Sequence, residues 1–344
     1  MANVYFKEID SIKKTDEIND AVKELIERLV AEEKIRILKD VPLKVHFGEE
    51  GNKTYIKPKN FQGVIDFLKK RDVTPRYIET NALLRGERAR RDTHIKLARK
   101  HGFTDLGIII ADGEHGEAYK LVEINKKHFK KCKIGYEFSN FGQMIVLTHF
   151  KGHSLAGFGG AIEHLATGCA ARGGKLDLHI NPHPMLNPLK CRKCKACLKY
   201  CPVHAINLDF ISRIDRTKCI GCATCIALCP YEAIKVNFIT GRVSRKFFER
   251  MAEYAYAAQM DKSIIYVNYL FNITPESDNV GKEMKPVAND IGVFVSTDPV
   301  AIDQACLDLL KHKEMRDVFE GDEIFLYAEE IGLGSTEYKL IVEK

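Results

Sequence analysis

The sequence predicts an α/β layered domain with a mostly parallel sheet, interrupted by one small cysteine-rich α+β insert. Three observations carry that expectation. Short apolar runs alternate with amphipathic stretches, and the runs are continuous, as strands covered on both faces require. Eight of the 11 cysteines fall between Cys191 and Cys229, inside an internal repeat. The α/β pattern then resumes. A length of 344 residues with 45% hydrophobic content allows a sizeable core and more than one domain.

Residues 4–9 read as a strand. Thr15 is placed to cap a helix over residues 16–33, because Ile18, Val22, Leu25, Ile26 and Leu29 recur at helical spacing. A strand follows at 41–47 and a turn at 48–52. Helix 59–71 opens after Pro58, and strand 76–80 comes next. Residues 91–100 form another helix, with Gly102 at its stop. Buried strands are expected at 107–111 and 144–150, then a helix at 161–171 that Gly173 and Gly174 break. Beyond the cysteines come helix 244–258, strands 263–271 and 291–296, and helix 299–310, capped by Asp298 ahead of Pro299. The α/β domain thus takes residues 1–186 and 241–344, and the insert takes 187–240.

Charged residues make up 29% and aromatics 9%, with no low-complexity tract, which excludes a disordered chain. No stretch reaches the ~20 apolar residues of a membrane-spanning helix, and no basic segment leads into an apolar one at the start. A cytoplasmic protein without membrane contact is the expectation. Lys and Arg exceed Asp and Glu by 53 to 47, a mild +6 with no basic arm, so no nucleic-acid partner is expected. An odd, bunched cysteine set without a secretion signal points to metal or redox chemistry rather than disulfides.

The run Cys191-Arg-Lys-Cys-Lys-Ala-Cys-Leu-Lys-Tyr-Cys-Pro recurs 28 residues later as Cys219-Ile-Gly-Cys-Ala-Thr-Cys-Ile-Ala-Leu-Cys-Pro. Each is a complete C-x2-C-x2-C-x3-C-P motif, the bacterial pattern for [4Fe–4S] ligation. Three thiolates at that spacing converge on three corners of one cube. The fourth, ahead of Pro202 or Pro230, points to the other. Crossed ligation is therefore expected: Cys191, Cys194, Cys197 and Cys229 on one cluster, Cys219, Cys222, Cys225 and Cys201 on the second. A zinc-stapled miniature domain is the other reading of such cysteines, though two complete four-cysteine runs fit it poorly. The insert is thus expected to be ferredoxin-like, with two clusters. Each oxidised cluster with its thiolates carries about −2, which would bring the chain to about +2. Lys190, Arg192, Lys193, Lys195 and Lys199 surround the first run, where they either offset that charge or steer an acidic redox partner.

Outside the insert, His149, Lys151 and His153 alternate at a strand end and lead into the turn at Gly157, Gly159 and Gly160, which opens a helix. Glycines let backbone approach a ligand, and helix N-terminal N–H groups favour an anion. A tight turn without a ligand is the plainer reading of the same residues. Asp112, with His115 after it, follows strand 107–111. Asp298 caps a helix at a strand's carboxyl end, with Asp303 just over one turn further on. Open α/β sheets bind ligands at that end. His46 ends strand 41–47, and His179 and His183 sit in a proline-stiffened connector. Cys132, Cys169 and Cys306 lack partners and read as buried thiols.

Four segments, His149-Phe-Lys-Gly-His-Ser-Leu-Ala-Gly-Phe-Gly-Gly-Ala-Ile, Asp112-Gly113, Gly168-Cys-Ala-Ala-Arg-Gly-Gly-Lys175 and Asp298-Pro-Val-Ala-Ile-Asp303, resemble the iron–sulfur-centre proteins. That prokaryotic family has a domain of unknown function carrying an inserted two-cluster ferredoxin module. The resemblance runs from Gly51-Asn-Lys-Thr54 through Asp303. It implies an α/β domain and two [4Fe–4S] clusters, and no particular reaction. This chain departs from the family after Gly-Gly-Ala-Ile: Glu163-His164-Leu-Ala-Thr-Gly168 stands where relatives have Lys-Asn-Leu-Gly-Met-Gly. A carboxylate in place of an ammonium disfavours a purely anionic ligand and favours an additional metal or small ligand near His149.

The leading expectation is an iron–sulfur oxidoreductase or electron-transfer protein. Its clusters would pass single electrons to or from a site where His149, Lys151, His153 and the glycine turn meet Asp112 and Asp298. His149, His153 and Asp112 would move protons or hold metal. Lys151, Gly157, Gly159, Gly160 and Asp298 would bind a small-molecule substrate. The sequence carries no nicotinamide or flavin fingerprint, so a ferredoxin-like carrier is the expected electron partner. The alternatives are a binding or redox-sensing protein with structural clusters, and a plain electron shuttle.

Overall fold

The core strands are apolar on both sides because both sides are covered. All seven residues of Gln143–His149 are buried; Met144 and Val146 pack into one core, Ile145 and Leu147 into the other. The structure, a computed structural model, describes residues 1–178, 183–236 and 245–343. Its main sheet has eight strands: β1 (Ala2–Glu8), β2 (Leu43–Lys44), β3 (Arg76–Glu79), β4 (Gly107–Ile110), β5 (Gln143–His149), β6 (Ser263–Leu270), β7 (Gly292–Ser296) and β8 (Tyr338–Glu343). The spatial order is β8-β1-β7-β6-β5-β2-β3-β4. Strand β7 runs against its neighbours β1 and β6, and the other five pairings are parallel. Adjacent parallel strands β6, β5, β2, β3 and β4 therefore end on one edge, at Leu270, His149, Lys44, Glu79 and Ile110.

Helices α1 (Thr15–Glu32), α2 (Gln62–Lys69) and α3 (Arg91–Lys100) cover one face. The other face carries α4 (Ala161–Cys169), α6 (Arg245–Gln259), α7 (Pro299–Glu314) and α8 (Glu323–Glu330). Between α4 and α6, the short α5 (Arg172–Leu178) joins two cores, with Leu178 in the main one and Leu176 in a small one built around cysteines. No helix among the described residues is long and apolar enough to cross a membrane.

Several local expectations need correction. Thr15 is the first residue of α1 and caps nothing; its hydroxyl is buried without a hydrogen-bond partner. Gly173 and Gly174 lie inside α5, where a Cβ on Gly174 would come within 2.5 Å of the Lys133 carbonyl oxygen. They permit close helix packing instead of breaking the chain. The hairpin Tyr119–Glu123 with Lys131–Gly135, helix α8 and edge strand β8 are additional elements. Strand β8 is only half-buried, so its pattern is weak. The cysteine-rich segment enters and leaves side by side, because Met185–Leu186 pairs with Ile234–Lys235. A second short ribbon joins Ile206–Asn207 to Arg213–Ile214. His179 and the expected boundary at residue 240 lie outside the described residues.

Candidate functional site

The two cysteine runs fold alike. Lys193, Lys195 and His204 take φ of 50°, 62° and 49°, and their repeat equivalents Gly221, Ala223 and Glu232 take 66°, 58° and 49°. Five of these six carry side chains, so the surrounding loop, not glycine, holds the left-handed conformation. Cys191, Cys194 and Cys197 line one small cavity together with Cys229 from the other run. Cys219, Cys222 and Cys225 line a second together with Cys201. Ala205 N–H donates to Cys201 Sγ at 3.2 Å, and Ala233 N–H to Cys229 Sγ at 3.3 Å. Leu186, Leu208 and Ile234 wall the first cavity; Val203, Ile206 and Ile214 wall the second.

Burial, then crowding by neighbouring thiols, pushes Cys197 up to about 11 and also raises Cys219 and Cys225. Thiolates in such a place need a compensating positive charge. Among the described residues, no group of three or more His, Cys, Asp or Glu side chains is placed to hold a metal ion. The thiols surround a space instead.

A larger cleft, about 730 Å3 and open to solvent, lies beyond the carboxyl ends of β2, β3 and β5. Its floor is a network of buried charges. Glu79 at the end of β3 accepts from Lys44 of β2 and from Arg88 at 3.3 Å. Arg88 also donates to Asn279 Oδ1 at 2.6 Å and to His94 Nε2 at 3.3 Å. Lys175 of α5 donates to Thr80 Oγ1 at 2.8 Å and to the Asn81 carbonyl at 2.6 Å. Burial lowers Lys175 to about 8 despite the nearby Glu79 and Asp112 carboxylates. Lys151 faces Glu163 at 3.7 Å.

Two imidazoles share the floor. Gly48 N–H donates to His46 Nδ1 at 3.0 Å, which leaves His46 Nε2 to donate to Asn279 Oδ1 at 3.1 Å. His164 Nδ1 lies 3.1 Å from the Thr148 hydroxyl, and its Nε2 is buried with no hydrogen-bond partner. Burial first, then surrounding cations such as Arg88, Lys44 and Lys151, hold both rings well below the usual histidine range. Both are neutral near pH 7.

One short helix separates the cleft from the cysteines. Leu176 is fully buried in the same small core as Cys197 and Cys229, while its neighbour Lys175 lines the cleft. Leu83 likewise lines the cleft and packs against the cysteine core, and Arg85 donates to the Pro230 carbonyl at 2.9 Å. The wall is about one helix thick, 10–12 Å with side chains.

The expected site residues are only partly brought together. Both nitrogens of His149 are taken, Nδ1 by Asp278 Oδ2 at 2.9 Å and Nε2 by the Phe271 carbonyl at 2.8 Å. Two acceptors need two donated protons, so the His149–Asp278 pair is neutral overall and leaves no ring nitrogen for metal or substrate. Asp112 ties loops together, accepting from Asn81 N–H at 2.8 Å, the Asn81 side chain at 2.9 Å and Arg172 N–H at 3.2 Å. Burial raises its carboxyl to about 6. Asp298 caps α7 through Val300 N–H at 2.8 Å and Ala301 N–H at 2.9 Å, and also receives Ser335 N–H at 2.9 Å.

The helix N-terminus at the glycine turn is already taken by a side chain of the chain itself. Asp303 accepts from Ala161 N–H at 2.7 Å and Ile162 N–H at 3.0 Å, at the N-terminus of α4. A Cβ on Gly160 would sit 2.2 Å from Asp303 Oδ1, and one on Gly157, at φ 76°, would sit 1.8 Å from the Glu320 carbonyl oxygen. Gly159 makes room for Lys151, whose Nζ would be 3.2 Å from an added Cβ. These glycines serve protein packing, not ligand approach. Of the expected binding and proton-transfer residues, His153 alone lines the cleft. Leu155 and Ala156 N–H groups donate to its Nδ1 at 3.2 and 3.1 Å, which leaves Nε2 as the ring's donor. Lys44, Glu79, Arg88, His164, Lys175 and Asn279 were not expected in the site. The available signal was a charged residue ending an apolar run, as at Lys44 and Glu79.

Fold and site together define an α/β protein with a ligand-sized cleft at its strand ends and two cysteine-ringed cavities beside it. The chain belongs to the DUF362 family, a domain of unknown function, whose model matches residues 41–308. A crystal structure of a protein from Thermotoga maritima is similar at a TM-score of 0.46 and 11% identity, covering 87% of this chain and 59% of that one. The lactate racemase apoprotein from Thermoanaerobacterium thermosaccharolyticum is similar at a TM-score of 0.37 and 11% identity, covering 78% of this chain and 50% of that one. This chain spans less than two thirds of the length of either. No curated protein matches it.

Proposed function

We propose that this chain is a two-cluster iron–sulfur protein that passes single electrons between an external carrier and a ligand held in the strand-end cleft. The observation that carries the reading is the sharing of cysteines: each cavity takes three thiols from one run and the last thiol from the other. That is the crossed set the doubled motif calls for. The donors fit the group. Four sulfurs around an apolar-walled space suit a [4Fe–4S] cube, whereas zinc wants four ligands drawn onto one point at about 2.3 Å. When bound, such a cluster exchanges one electron at a time, at a potential tuned by hydrogen bonds to its sulfurs and by solvent. The Ala205 and Ala233 N–H groups would stabilise charge on Cys201 and Cys229, and the apolar walls would exclude water.

The thin α5 wall supports transfer inward, since it sets the cleft one helix away from Cys197 and Cys229. Exposed Lys190, Arg192, Lys193, Lys195 and Lys199 give an acidic, ferredoxin-like carrier a place to land on the outer side. Paired cysteine variants test the cluster assignment. With crossed ligation, C201S/C222S damages one cluster and keeps about half the iron, while C201S/C194S damages both. Uncrossed ligation gives the reverse pattern, and equal zinc retention in both variants refutes the reading.

A further inference from the structure

We propose that the cleft floor is an oxyanion-binding site: a carboxylate or phosphate group of the ligand sits between Lys175, Arg88 and His164. This deepens the reading above and rests on its assignment of the cleft, not on the clusters. The first argument is hydrogen-bond capacity. Lys175 has three donors and no acceptor, and two of its donors are used, by Thr80 and Asn81. Arg88 has five donors, of which three serve Glu79, Asn279 and His94. His164 Nδ1 pairs with the Thr148 hydroxyl at 3.1 Å, and its Nε2 is buried, unpartnered and at the cleft wall. Spare donors on Lys175 and Arg88 therefore lie on the floor beside the Glu79 and Glu163 carboxylates. A ligand that satisfies those donors must bring acceptors.

The second argument is charge. Four buried cations, Lys44, Arg88, Lys151 and Lys175, face two buried carboxylates, Glu79 and Glu163. Asp112 is matched by Arg172, and Asp278 by His149. On and beneath the floor these cations outnumber the two carboxylates, and they also hold His46 and His164 neutral. Glu49, Glu50, Glu87 and Glu276 line the cleft towards its mouth, so the positive region is confined to the floor. Gly168 makes this close cluster feasible, because a Cβ there would come within 2.7 Å of Lys44 Nζ. The cleft is far larger than one anion, so the oxyanion is one end of a larger molecule.

Calorimetry with inorganic phosphate and with oxalate as probes tests this on the full, anaerobically purified chain. One site per chain is expected, weakened by added salt, with the tighter probe telling a phosphate-bearing ligand from a carboxylate-bearing one. K175M and R88M should each weaken binding about tenfold or more, while the surface control K39Q should not. Oxalate binding at pH 8 should also take up protons, seen as a heat that differs between buffers of unlike ionisation enthalpy. The reason is that an anion favours the charged form of Lys175, which burial lowers to about 8. That measurement needs no variant, so a misfolded K175M cannot rescue the proposal. Neither probe binding, binding unchanged in both variants (an adventitious ion only), or no proton uptake would each overturn it. Oxalate binding to protein that carries no iron would sink the relay and keep this site.

Discussion

Asp303 accounts for the emptiness of one expectation and the strength of another. Its carboxylate occupies the helix N-terminus that the glycine turn offers to a ligand, and it also accepts from the Asn268 side chain at 2.8 Å. Burial raises its carboxyl to about 7 against these donors. The unfolded carboxyl titrates near 3.9, so the native state holds the extra proton between about pH 4 and pH 7. Stability from this group is fully present below about pH 4 and is lost as pH rises through about 7, by up to a few kcal/mol. D303N should flatten that part of the melting temperature–pH curve; an unchanged slope contradicts the assignment. Residue types at the strand ends were legible, but their partners were not. The sequence shows His149 at a strand end, yet only the fold brings Asp278 and the Phe271 carbonyl onto its ring and takes it out of the cleft. Arg88 carried no local pattern at all, because it reaches the cleft from a single 3-10 turn, Glu87–Ala89.

At the scale of elements, α5 does most to couple the two parts of the molecule. Seven residues place Arg172 on the loop carbonyls of Ala82, Ala89 and His115, Lys175 in the cleft, and Leu176 among the cysteines. Its double glycine reads as a break because glycine disfavours helix interiors. Close packing against Lys133 and Tyr254 overrides that preference. L176A should cost about 2–5 kcal/mol through the cavity it leaves. The expected readout is a lower melting temperature together with faster bleaching of cluster absorbance in air. A variant that melts early yet bleaches at the wild-type rate would show that α5 does not support the cysteine core. The long amphipathic helices α1 and α3 were legible almost to the residue, since their apolar faces repeat over several turns.

Across the whole molecule, the mostly parallel sheet followed from continuous apolar runs, and the strand-end position of the cleft followed from the sheet. The exception is β7, whose antiparallel pairing no periodicity reveals, because a buried strand looks the same in either direction. The grouping of three cysteines from one run with the last of the other was suggested by the doubled motif, and the two runs repeat in the structure down to their left-handed residues. A site assembled from Lys44, Glu79, Arg88, His164 and Lys175 spans five separate segments, and that distance in sequence hid it.

The metal and acid-labile sulfide content of anaerobically purified protein tests the central claim most directly. Two [4Fe–4S] clusters predict about eight iron and eight sulfide per chain, with a rhombic EPR signal on reduction. Colourless protein holding zinc and no sulfide would contradict it.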